Sequence, residues 1–271
     1  MTDSTALLRS APSLPDHEVR RLLVAATGRH WTELILGVDV EAEDGERFDA
    51  LVRRRLDGEP LQYIEGTAAF GPIDVVVDPR VLIPRPETEQ LFEIACDAVD
   101  DPQVIVDLCT GSGNLAIALK HRFPAATVYA TDLSTDAVDL ARENARRAGL
   151  DVTVFHGDLF EPLPDHLAGR IGLVVANPPY VAEHELASLP DDVRDHEPVA
   201  ALISGPIGDE VLARIAGSCS EWLAPDGVVA CEISEFLGPL VAEHFSELGG
   251  KIRIDLSGKD RFIIGSRRGR L

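Results

Sequence analysis

The chain has 271 residues, of which 45% are apolar and 26% charged, and it contains no apolar run near the ~18 residues that a membrane span requires. These values exclude membrane-spanning, collagen-like and wholly disordered proteins. The formal charge of −21, from 46 acidic and 25 basic residues, argues against sequence-independent binding to a phosphate backbone. Residues 81–248 are the most acidic part, with 29 acidic and 9 basic side chains, whereas the last 23 residues carry 7 basic and 2 acidic ones.

Helices are predicted in the N-terminal part of the chain because apolar residues recur there at helical spacing. One such run follows Asp16, the predicted N-cap, and a second ends at Leu56. The apolar residues of the two runs are Val19, Leu22, Leu23, Ala26, Phe48, Leu51, Val52 and Leu56. Gly37 and the acidic stretch 41–46 separate the two helices. Residues 66–83 then alternate in the manner of strands, which predicts a short β-ribbon that connects two domains.

After Pro102, apolar strands alternate with helices. The predicted strands are Val104–Leu108, Thr127–Thr131, Val152–Phe155, Ile171–Ala176 and Val228–Ile233, with two more near Ile252–Asp255 and Phe262–Gly265. The predicted helices are Asn114–Arg122, Thr135–Ala148, Asp209–Leu223 and Leu237–Leu248. Strands separated by helices of this length indicate an α/β fold with a mainly parallel, doubly wound sheet covered on both faces. The last two strands are close enough in sequence to form an antiparallel pair at one edge.

A glycine-rich turn, residues 107–116, follows the first strand of this sheet. Gly111 and Gly113 allow a tight turn that brings backbone N–H groups close to a ligand at a helix N-terminus. Asp132 ends the second strand, where a carboxylate can accept hydrogen bonds from both hydroxyls of a ribose. These features indicate a nucleotide-like cofactor such as NAD or S-adenosylmethionine; the alternatives are a turn without a ligand and, for Asp132, a helix cap. Asp158, after the third strand, is either near an adenine edge or an ordinary turn residue.

The segment Asn177-Pro178-Pro179-Tyr180 directly follows the apolar strand that ends at Ala176. An amide nitrogen is hard to methylate because its lone pair is delocalised, so a site must position and polarise the NH₂ group. The Asn177 oxygen can accept one N–H, Pro178 lacks a donor and leaves a backbone carbonyl for the other, and Tyr180 offers an aromatic face. Methyl transfer then depends chiefly on proximity and orientation, worth ~7–11 kcal/mol. The motif predicts methylation of a planar nitrogen, with simple turn chemistry as the alternative.

With these motifs, the chain resembles the HemK/PrmC family of S-adenosylmethionine-dependent N5-glutamine methyltransferases, which modify the Gly-Gly-Gln glutamine of class 1 peptide chain release factors. The resemblance covers nearly the whole chain. It is carried by Pro60-Leu-Gln-Tyr-Ile-Glu-Gly66, Leu82-Ile-Pro-Arg-Pro-Glu-Thr-Glu89, the turn 107–116, the segment 177–180 and Asp255-Leu-Ser-Gly-Lys-Asp-Arg261. It implies a helical substrate-recognition domain (residues 1–65), a β-ribbon linker (66–85) and a seven-stranded, doubly wound, Rossmann-like class I methyltransferase domain (86–271).

The resemblance also implies the site residues. It aligns residues 109–113 with the family's cofactor loop, Asp132 with the ribose, Leu159 with the adenine, and Asn177 with both the methionine portion and the substrate amide. The predicted cofactor-binding residues are Asp107, Cys109, Thr110, Gly111, Ser112, Gly113, Asn114, Asp132, Leu133, Asp158, Leu159 and Asn177. The predicted substrate-binding residues are Asn177, Pro178, Pro179, Tyr180, Arg85, Glu87 and Glu197, of which Asn177, Pro178 and Tyr180 are predicted to be catalytic. Arg85, Glu87 and Thr88 alternatively form a salt-bridged connection between domains.

Two segments depart from the family pattern. Residues 202–209 lack its glycine pair, and Ser234 stands where the family usually has glycine. These departures leave the methyl donor unchanged but open a second acceptor, a free amino acid such as arginine, whose guanidinium would need paired carboxylates. The candidate carboxylates are Glu87, Glu197 and Glu232. A third acceptor, adenine in DNA, is disfavoured by the acidic body and by the lack of a recognisable target-recognition domain.

The cysteines predict neither a metal site nor a disulfide framework. Cys96, Cys109, Cys219 and Cys231 form no CxxC pair and no zinc-site spacing, so they are interpreted as reduced packing residues. No basic segment followed by an apolar stretch begins the sequence, which predicts a cytoplasmic protein without a signal peptide. The expected partners are the release factor or, alternatively, a free amino acid, with no membrane and no direct nucleic-acid contact.

Overall fold

A computed structural model describes residues 2–268, which form two compact units. The first unit contains residues 2–67 and the segment 190–196, and the second contains residues 68–189 and 197–268. The predicted domains 1–65 and 86–271 include residue 1 and residues 269–271, which lie outside the described residues. Within residues 2–268, no helix combines the length and the apolar composition needed to cross a membrane.

The first unit is mainly helical. Its elements are β1 (Thr2–Asp3), α1 (Ser4–Leu8), α2 (Asp16–Thr27), α3 (Trp31–Leu34), β2 (Asp39–Val40), α4 (Ala42–Leu56) and α5 (Leu61–Glu65). Of the apolar residues predicted on the two helices, Leu22 and Leu23 of α2 and Phe48 of α4 are buried. They belong to the same apolar cluster as Leu34 of α3. Leu56, at the end of α4, is instead 53% exposed.

Two local predictions for these helices are wrong. Asp16 is the first residue of α2 rather than its N-cap, because Pro15 takes the extended cap conformation and its carbonyl accepts the N–H groups of Glu18 and Val19. The acidic stretch 41–46 does not separate helices but forms the first turn of α4. Carboxylates are favourable there because the helix N-terminus carries partial positive charge.

The remaining elements alternate between strands and helices. They are β3 (Thr67–Phe70), β4 (Ile73–Val76), α6 (Pro86–Asp97), β5 (Val104–Leu108), α7 (Asn114–Arg122), β6 (Thr127–Asp132), α8 (Thr135–Ala148), β7 (Val152–His156), β8 (Ile171–Ala176), β9 (Val181–Ala182), α9 (Asp191–His196), α10 (Val199–Leu202), β10 (Ile203–Gly205), α11 (Glu210–Trp222), β11 (Leu223–Glu232), α12 (Gly238–His244), β12 (Lys251–Ile254) and β13 (Asp260–Ser266). Short 3-10 turns occur at Asp165–Leu167, Glu183–Ser188 and Ser246–Leu248. Of these elements, α9 belongs to the first unit.

The predicted doubly wound sheet is confirmed. Seven strands lie in the order β12-β13-β11-β8-β5-β6-β7. The pairs among β11, β8, β5, β6 and β7 are parallel, whereas β13 runs antiparallel to β11 and β12 at one edge. Alternate residues of the central strands face two separate apolar clusters, as Ile105 and Val106 of β5 show. The sheet is therefore covered on both faces, which explains its nearly continuous apolar strands.

Two elements near the end of the chain differ from their predicted bounds. The strand predicted from Val228 begins at Leu223, with an irregular register against β8 before Val228. A side chain at Gly227 would approach the carbonyl oxygen of Ile171 to 2.5 Å, so glycine is required where this irregular stretch passes close to β8. The helix predicted over Leu237–Leu248 divides into α12 and a 3-10 turn.

The predicted ribbon exists as the pair β3–β4, and one buried amide ties it to the sheet domain. Asn144 of α8 is only 3% exposed. Its oxygen accepts the N–H of Val76 at 2.8 Å, while its Nδ2 donates to the carbonyls of Val76 at 3.0 Å and Ser112 at 2.9 Å. Asn144 therefore connects the ribbon, α8 and the glycine-rich turn through three hydrogen bonds.

We expect Asn144→Leu to lower the free energy of unfolding by about 1–3 kcal/mol, because it leaves buried backbone groups of Val76 and Ser112 unpaired. Urea denaturation measures this as a lower midpoint at an unchanged m value. The control is Glu143→Gln on the same helix, whose side chain is 40% exposed and whose replacement should change stability by less than about 0.5 kcal/mol. Equal midpoints for the two variants would contradict the structural role of Asn144.

Candidate active site

The register of four parallel strands brings the predicted site residues to one edge of the sheet. Leu108 of β5 is paired with both Thr131 of β6 and Ala176 of β8, and Ala176 is paired in turn with Cys231 of β11. The next residue on each strand therefore lies at the same carboxyl edge. These residues are Cys109, Asp132, Asn177 and Glu232. Carboxyl ends of parallel strands are where ligands bind in open α/β sheets.

The glycine-rich turn is shaped for close approach by a ligand. Gly111 has a φ of +55°, and a side chain added there would meet nothing within 4 Å. Gly113, the N-cap of α7, has a φ of +81°, and a Cβ there would lie 3.2 Å from the Cβ of Ala141. The turn therefore has open space beside Gly111, whereas Gly113 packs tightly against α8. Both positions have the positive φ that glycine adopts without strain.

Backbone strain concentrates at two predicted cofactor-binding positions. Among the described non-glycine residues, only Cys109 and Leu159 have a positive φ, +57° and +48° respectively. Residues in this region cost of order 1–3 kcal/mol and occur mainly at ligand sites. Both follow strands at the carboxyl edge, Cys109 after β5 and Leu159 after β7, so the strain is consistent with a ligand-shaped edge.

Asp107 is placed beneath the turn rather than on its open side. It is 1% exposed, and its Oδ2 accepts the Thr110 hydroxyl at 2.5 Å and the Ala116 N–H at 3.1 Å. Its Oδ1 has no hydrogen-bond partner among residues 2–268. Burial raises the pKa of Asp107 from 3.8 to about 7. Asp107 therefore shapes the turn, and its predicted direct contact with a cofactor stays a prediction.

Asp132 has the geometry that a ribose requires. Its Oδ2 accepts the Gly111 N–H at 2.8 Å and its Oδ1 accepts the Ser134 N–H at 2.9 Å. A carboxylate has about four acceptor positions, so each oxygen retains capacity for one hydroxyl. Burial raises the pKa of Asp132, and these N–H groups oppose the shift. The structure assigns the N-cap of α8 to Ser134, so Asp132 is not the cap itself.

The other predicted cofactor residues lie around the same edge. Leu133 is 69% exposed beside Asp132. Asn114 is the first residue of α7 and lies 3.2 Å from the hydroxyl of Ser112. Asp158 receives a hydrogen bond from Arg214 at 2.6 Å. The open turn at Gly111 and the remaining acceptor positions of Asp132 fit the ribose and methionine parts of S-adenosylmethionine. The contact of each individual residue with it stays a prediction.

The Asn177 side chain belongs to a buried hydrogen-bond chain. Its Nδ2 donates to the Thr88 hydroxyl at 3.0 Å, and Thr88 donates to Glu232 Oε2 at 2.7 Å. The Tyr180 hydroxyl donates to Glu232 Oε1 at 2.9 Å. Thr88 and Glu232 are each 1% exposed. Pro178 is also buried, whereas Asn177, Pro179 and Tyr180 are half-buried, so the motif presents partly accessible groups above a buried polar base.

Arg85 and Glu197 pair with each other. Arg85 donates from Nη2 to Glu197 Oε2 at 2.6 Å, and the Glu197 side chain is 1% exposed. The other Glu197 oxygen accepts the Ile83 N–H at 3.4 Å. Glu87, one residue before Thr88, is half-buried and its charge raises the pKa of Glu232. Both oxygens of Glu197 therefore accept hydrogen bonds from within the protein. The predicted roles of Glu197, Arg85 and Glu87 in binding substrate stay predictions.

Two known domain families match separate parts of the chain. Residues 91–189 match the methyltransferase small domain and residues 1–66 match the PrmC N-terminal domain. A solved methyltransferase from Pyrococcus furiosus superposes with a TM-score of 0.54 at 19% identity, covering 74% of this chain and 91% of its own. Together with the glycine turn and Asp132, this fold defines a class I S-adenosylmethionine-dependent methyltransferase.

Full-length relatives identify the family. The release factor glutamine methyltransferase of Mycolicibacterium smegmatis is 39% identical, with 97% of this chain and 95% of the relative aligned. That of Deinococcus radiodurans is 35% identical over 99% and 98% of the respective chains. The chain belongs to the release factor glutamine methyltransferase family, which confirms the resemblance read from its motifs.

The sequence did not reveal the hydrogen bonds that connect the candidate site residues to one another. Asn144, which holds the Ser112 carbonyl, looks like an ordinary polar residue of an amphipathic helix. In the sequence, Thr88 is identified only as part of a salt-bridged connection between domains and Glu232 only as a candidate carboxylate. A signal for Glu232 existed, because it comes directly after the apolar residues 228–231, although the predicted strand continued past it to Ile233.

The raised pKa of Asp107 predicts a pH-dependent stability. Because the folded state binds this proton more tightly than the unfolded chain does, the contribution is present below about pH 4 and is lost as pH rises through about 7. Relative to Asp107→Asn, the wild type should lose up to about 4 kcal/mol between pH 4 and pH 8, from a shift of about three pKa units. Denaturant unfolding of both proteins without cofactor, across this pH range, measures the difference.

The control for this measurement is Asp151→Asn, which changes an exposed carboxylate. Its stability should run parallel to that of the wild type across the range. A uniform loss of stability in Asp107→Asn, with no change in slope against pH, would show that Asp107 does not titrate as the burial implies.

Proposed function

We propose that this chain methylates the side-chain amide nitrogen of the Gly-Gly-Gln glutamine in a class 1 peptide chain release factor, using S-adenosylmethionine. The observation that carries the proposal is the orientation of Asn177 at the end of β8. Its Nδ2 is committed to Thr88, which leaves its Oδ1 to accept an N–H of a substrate amide. The names of the two full-length relatives support the choice of a release factor glutamine.

The amide nitrogen of the substrate is a weak nucleophile, so the protein must orient it for methyl transfer. Bound S-adenosylmethionine supplies an electrophilic methyl group on a sulfonium. Asn177 Oδ1 accepts one N–H of the substrate amide, and a backbone carbonyl of the adjacent Pro178 segment accepts the other. With both protons held, the nitrogen faces the cofactor edge that Asp132 and the turn define. Orientation of this kind is worth roughly 7–11 kcal/mol of the barrier. Forming the N–CH₃ bond would break the S–CH₃ bond and leave a neutral thioether, and the nitrogen would release one of its two protons to solvent, so no strong base is needed beforehand.

The second candidate acceptor, the guanidinium of free arginine, is less well supported. A buried guanidinium requires paired acceptor oxygens. Of the three candidate carboxylates, Glu197 is paired with Arg85, and Glu232 accepts the hydroxyls of Thr88 and Tyr180. Two of the three are therefore engaged within the protein, which favours a neutral amide over a cation.

The proposal extends to the parts of the chain beyond the cleft. We assign recognition of the release factor to the helical first unit, since residues 1–66 match the PrmC N-terminal domain. The formal charge of −21 disfavours direct nucleic-acid contact. A translation factor as substrate also implies a cytoplasmic location for the enzyme.

The proposed function predicts that the purified protein adds one methyl group to the Gly-Gly-Gln peptide of a recombinant release factor, as mass spectrometry of the digested substrate will show. Asn177→Ala should lower kcat by roughly 100-fold or more, since it removes a positioned acceptor at the reacting group. Cofactor binding, measured by calorimetry, should persist because Asp132 and Gly111 are unchanged, and any loss of affinity at the methionine portion should be smaller than the loss in kcat.

Two substrate controls sharpen the result. A release factor with glutamate in place of that glutamine should gain no methyl group. Free arginine and free glutamine are incubated with the same enzyme in the absence of protein substrate. Steady turnover of either one, with no gain on the release factor peptide, would overturn the proposed function in favour of a small-molecule acceptor.

A further inference from the structure

We propose that Thr88 and Glu232 are positioning residues for methyl transfer: Glu232 fixes the direction of the Thr88 hydroxyl, and Thr88 thereby fixes which end of the Asn177 amide faces the substrate. This inference rests on the proposed function, and it assigns a role to two buried residues that do not themselves face the reacting nitrogen. It also gives the turn signature 255–261 a part in the site.

The single proton of the Thr88 hydroxyl determines which way the Asn177 amide faces. A hydroxyl has one donor proton and can accept at its lone pairs. Thr88 lies 2.7 Å from Glu232 Oε2, and an ionised carboxylate can only accept, so the proton points to Glu232. Thr88 can then only accept from Asn177. The amide NH₂ of Asn177 must face Thr88 at 3.0 Å, and its oxygen must point away, where a substrate N–H can reach it.

Each of the two carboxylate oxygens of Glu232 accepts a hydrogen bond from a hydroxyl. Oε2 accepts from Thr88 and Oε1 accepts from Tyr180 at 2.9 Å. Two donors aimed at one carboxylate satisfy a group that is 1% exposed, and together they favour its ionised form. Burial and the charge of Glu87 raise the pKa of Glu232, and the two hydroxyls and the charge of Arg261 offset only part of this rise. The Glu232 carboxylate thus orients both hydroxyls, that of Thr88 through Oε2 and that of Tyr180 through Oε1.

The turn signature 255–261 lies next to this carboxylate through the backbone of Arg261. Asp255 accepts the N–H groups of Ser257 and Lys259 and lies 3.4 Å from Nε of Arg261. The backbone of Arg261 accepts the N–H of Ile233, the residue after Glu232, at 2.9 Å. The turn therefore holds the Arg261 guanidinium where its positive charge acts on Glu232 and Tyr180. This contact gives the segment 255–261 a role in the site, which cofactor binding alone does not explain.

Replacing Glu232 with glutamine would remove this direction without removing bulk. A glutamine carries one oxygen and one NH₂ group, so it can accept from one hydroxyl and must donate to the other. If it donates to Thr88, the Thr88 proton is released and can be given to Asn177 Oδ1. The Asn177 amide can then reverse, which turns its NH₂ group toward the substrate and opposes binding of the substrate amide.

The experiment compares kcat, the KM for the release factor and the calorimetric Kd of the cofactor in the full-length enzyme. Thr88→Val keeps the shape but removes the hydroxyl, and we expect kcat to fall roughly 10- to 100-fold with little change in cofactor Kd. Glu232→Gln should give a loss of the same order. Thr88→Ser, which restores the hydroxyl, should recover most of the activity. Thr153→Val, a change at an exposed threonine, is the matched control and should leave kcat unchanged.

A double-mutant cycle separates positioning from a general structural role. If Thr88 acts through Asn177, then Thr88→Val should cost little more once Asn177→Ala is present, because residues acting as a unit are not additive. Additive losses, or a Thr88→Ser variant as impaired as Thr88→Val, would overturn the inference. If Thr88→Val fails to fold, Glu232→Gln takes its place in the cycle with the same criteria.

The wild-type arm separates this inference from the function on which it rests. An active wild type with unimpaired Thr88→Val and Glu232→Gln variants contradicts the positioning role alone. A wild type that adds no methyl group to the release factor peptide overturns the proposed function, and the inference falls with it.

Discussion

The register of the four parallel strands β6, β5, β8 and β11 is the constraint on which the site depends. The strands are buried on both faces, so most of their interior positions carry apolar side chains. Asp132, Asn177 and Glu232 come at or just after the last residue of their strands. Leu108, paired with both Thr131 and Ala176, sets this alignment, which then brings Asp132, Asn177 and Glu232 to one edge. A slip of one residue on any strand would turn its end residue to the opposite face.

Much of the fold could be predicted from the sequence because each local signal agreed with the final sheet. Apolar runs of strand length, separated by amphipathic helices, predicted the mainly parallel order, and the short spacing of the last two strands predicted their antiparallel pairing. Features determined by distant contacts escaped this reasoning. The early start of β11 depends on Gly227 passing the carbonyl of Ile171, and the inclusion of residues 190–196 in the first unit depends on packing that no local pattern encodes.

The site divides in the same way. The location of Asp132 and Asn177 at the carboxyl edge could be predicted because each comes at the end of an apolar strand, and each has a donor or acceptor suited to a known ligand group. Their orientation could not, since it depends on partners far away in sequence: Thr88 lies 89 residues before Asn177 and 144 before Glu232. The burial of Asp107 beneath the turn could not be predicted either, because its hydrogen bonds to Thr110 and Ala116 depend on the folded shape of the turn.

The acidity of the chain and the choice of acceptor are separate properties under the proposed function. The buried carboxylates Glu197 and Glu232 have their oxygens engaged by Arg85 and by two hydroxyls, so they do not form an open trap for a cation. The group left at the end of β8 is the neutral oxygen of Asn177, which suits the neutral N–H of an amide. Long-range attraction by the net charge of −21 can steer a basic protein toward the enzyme. The acceptor itself is then selected by the direction of one hydrogen bond rather than by charge.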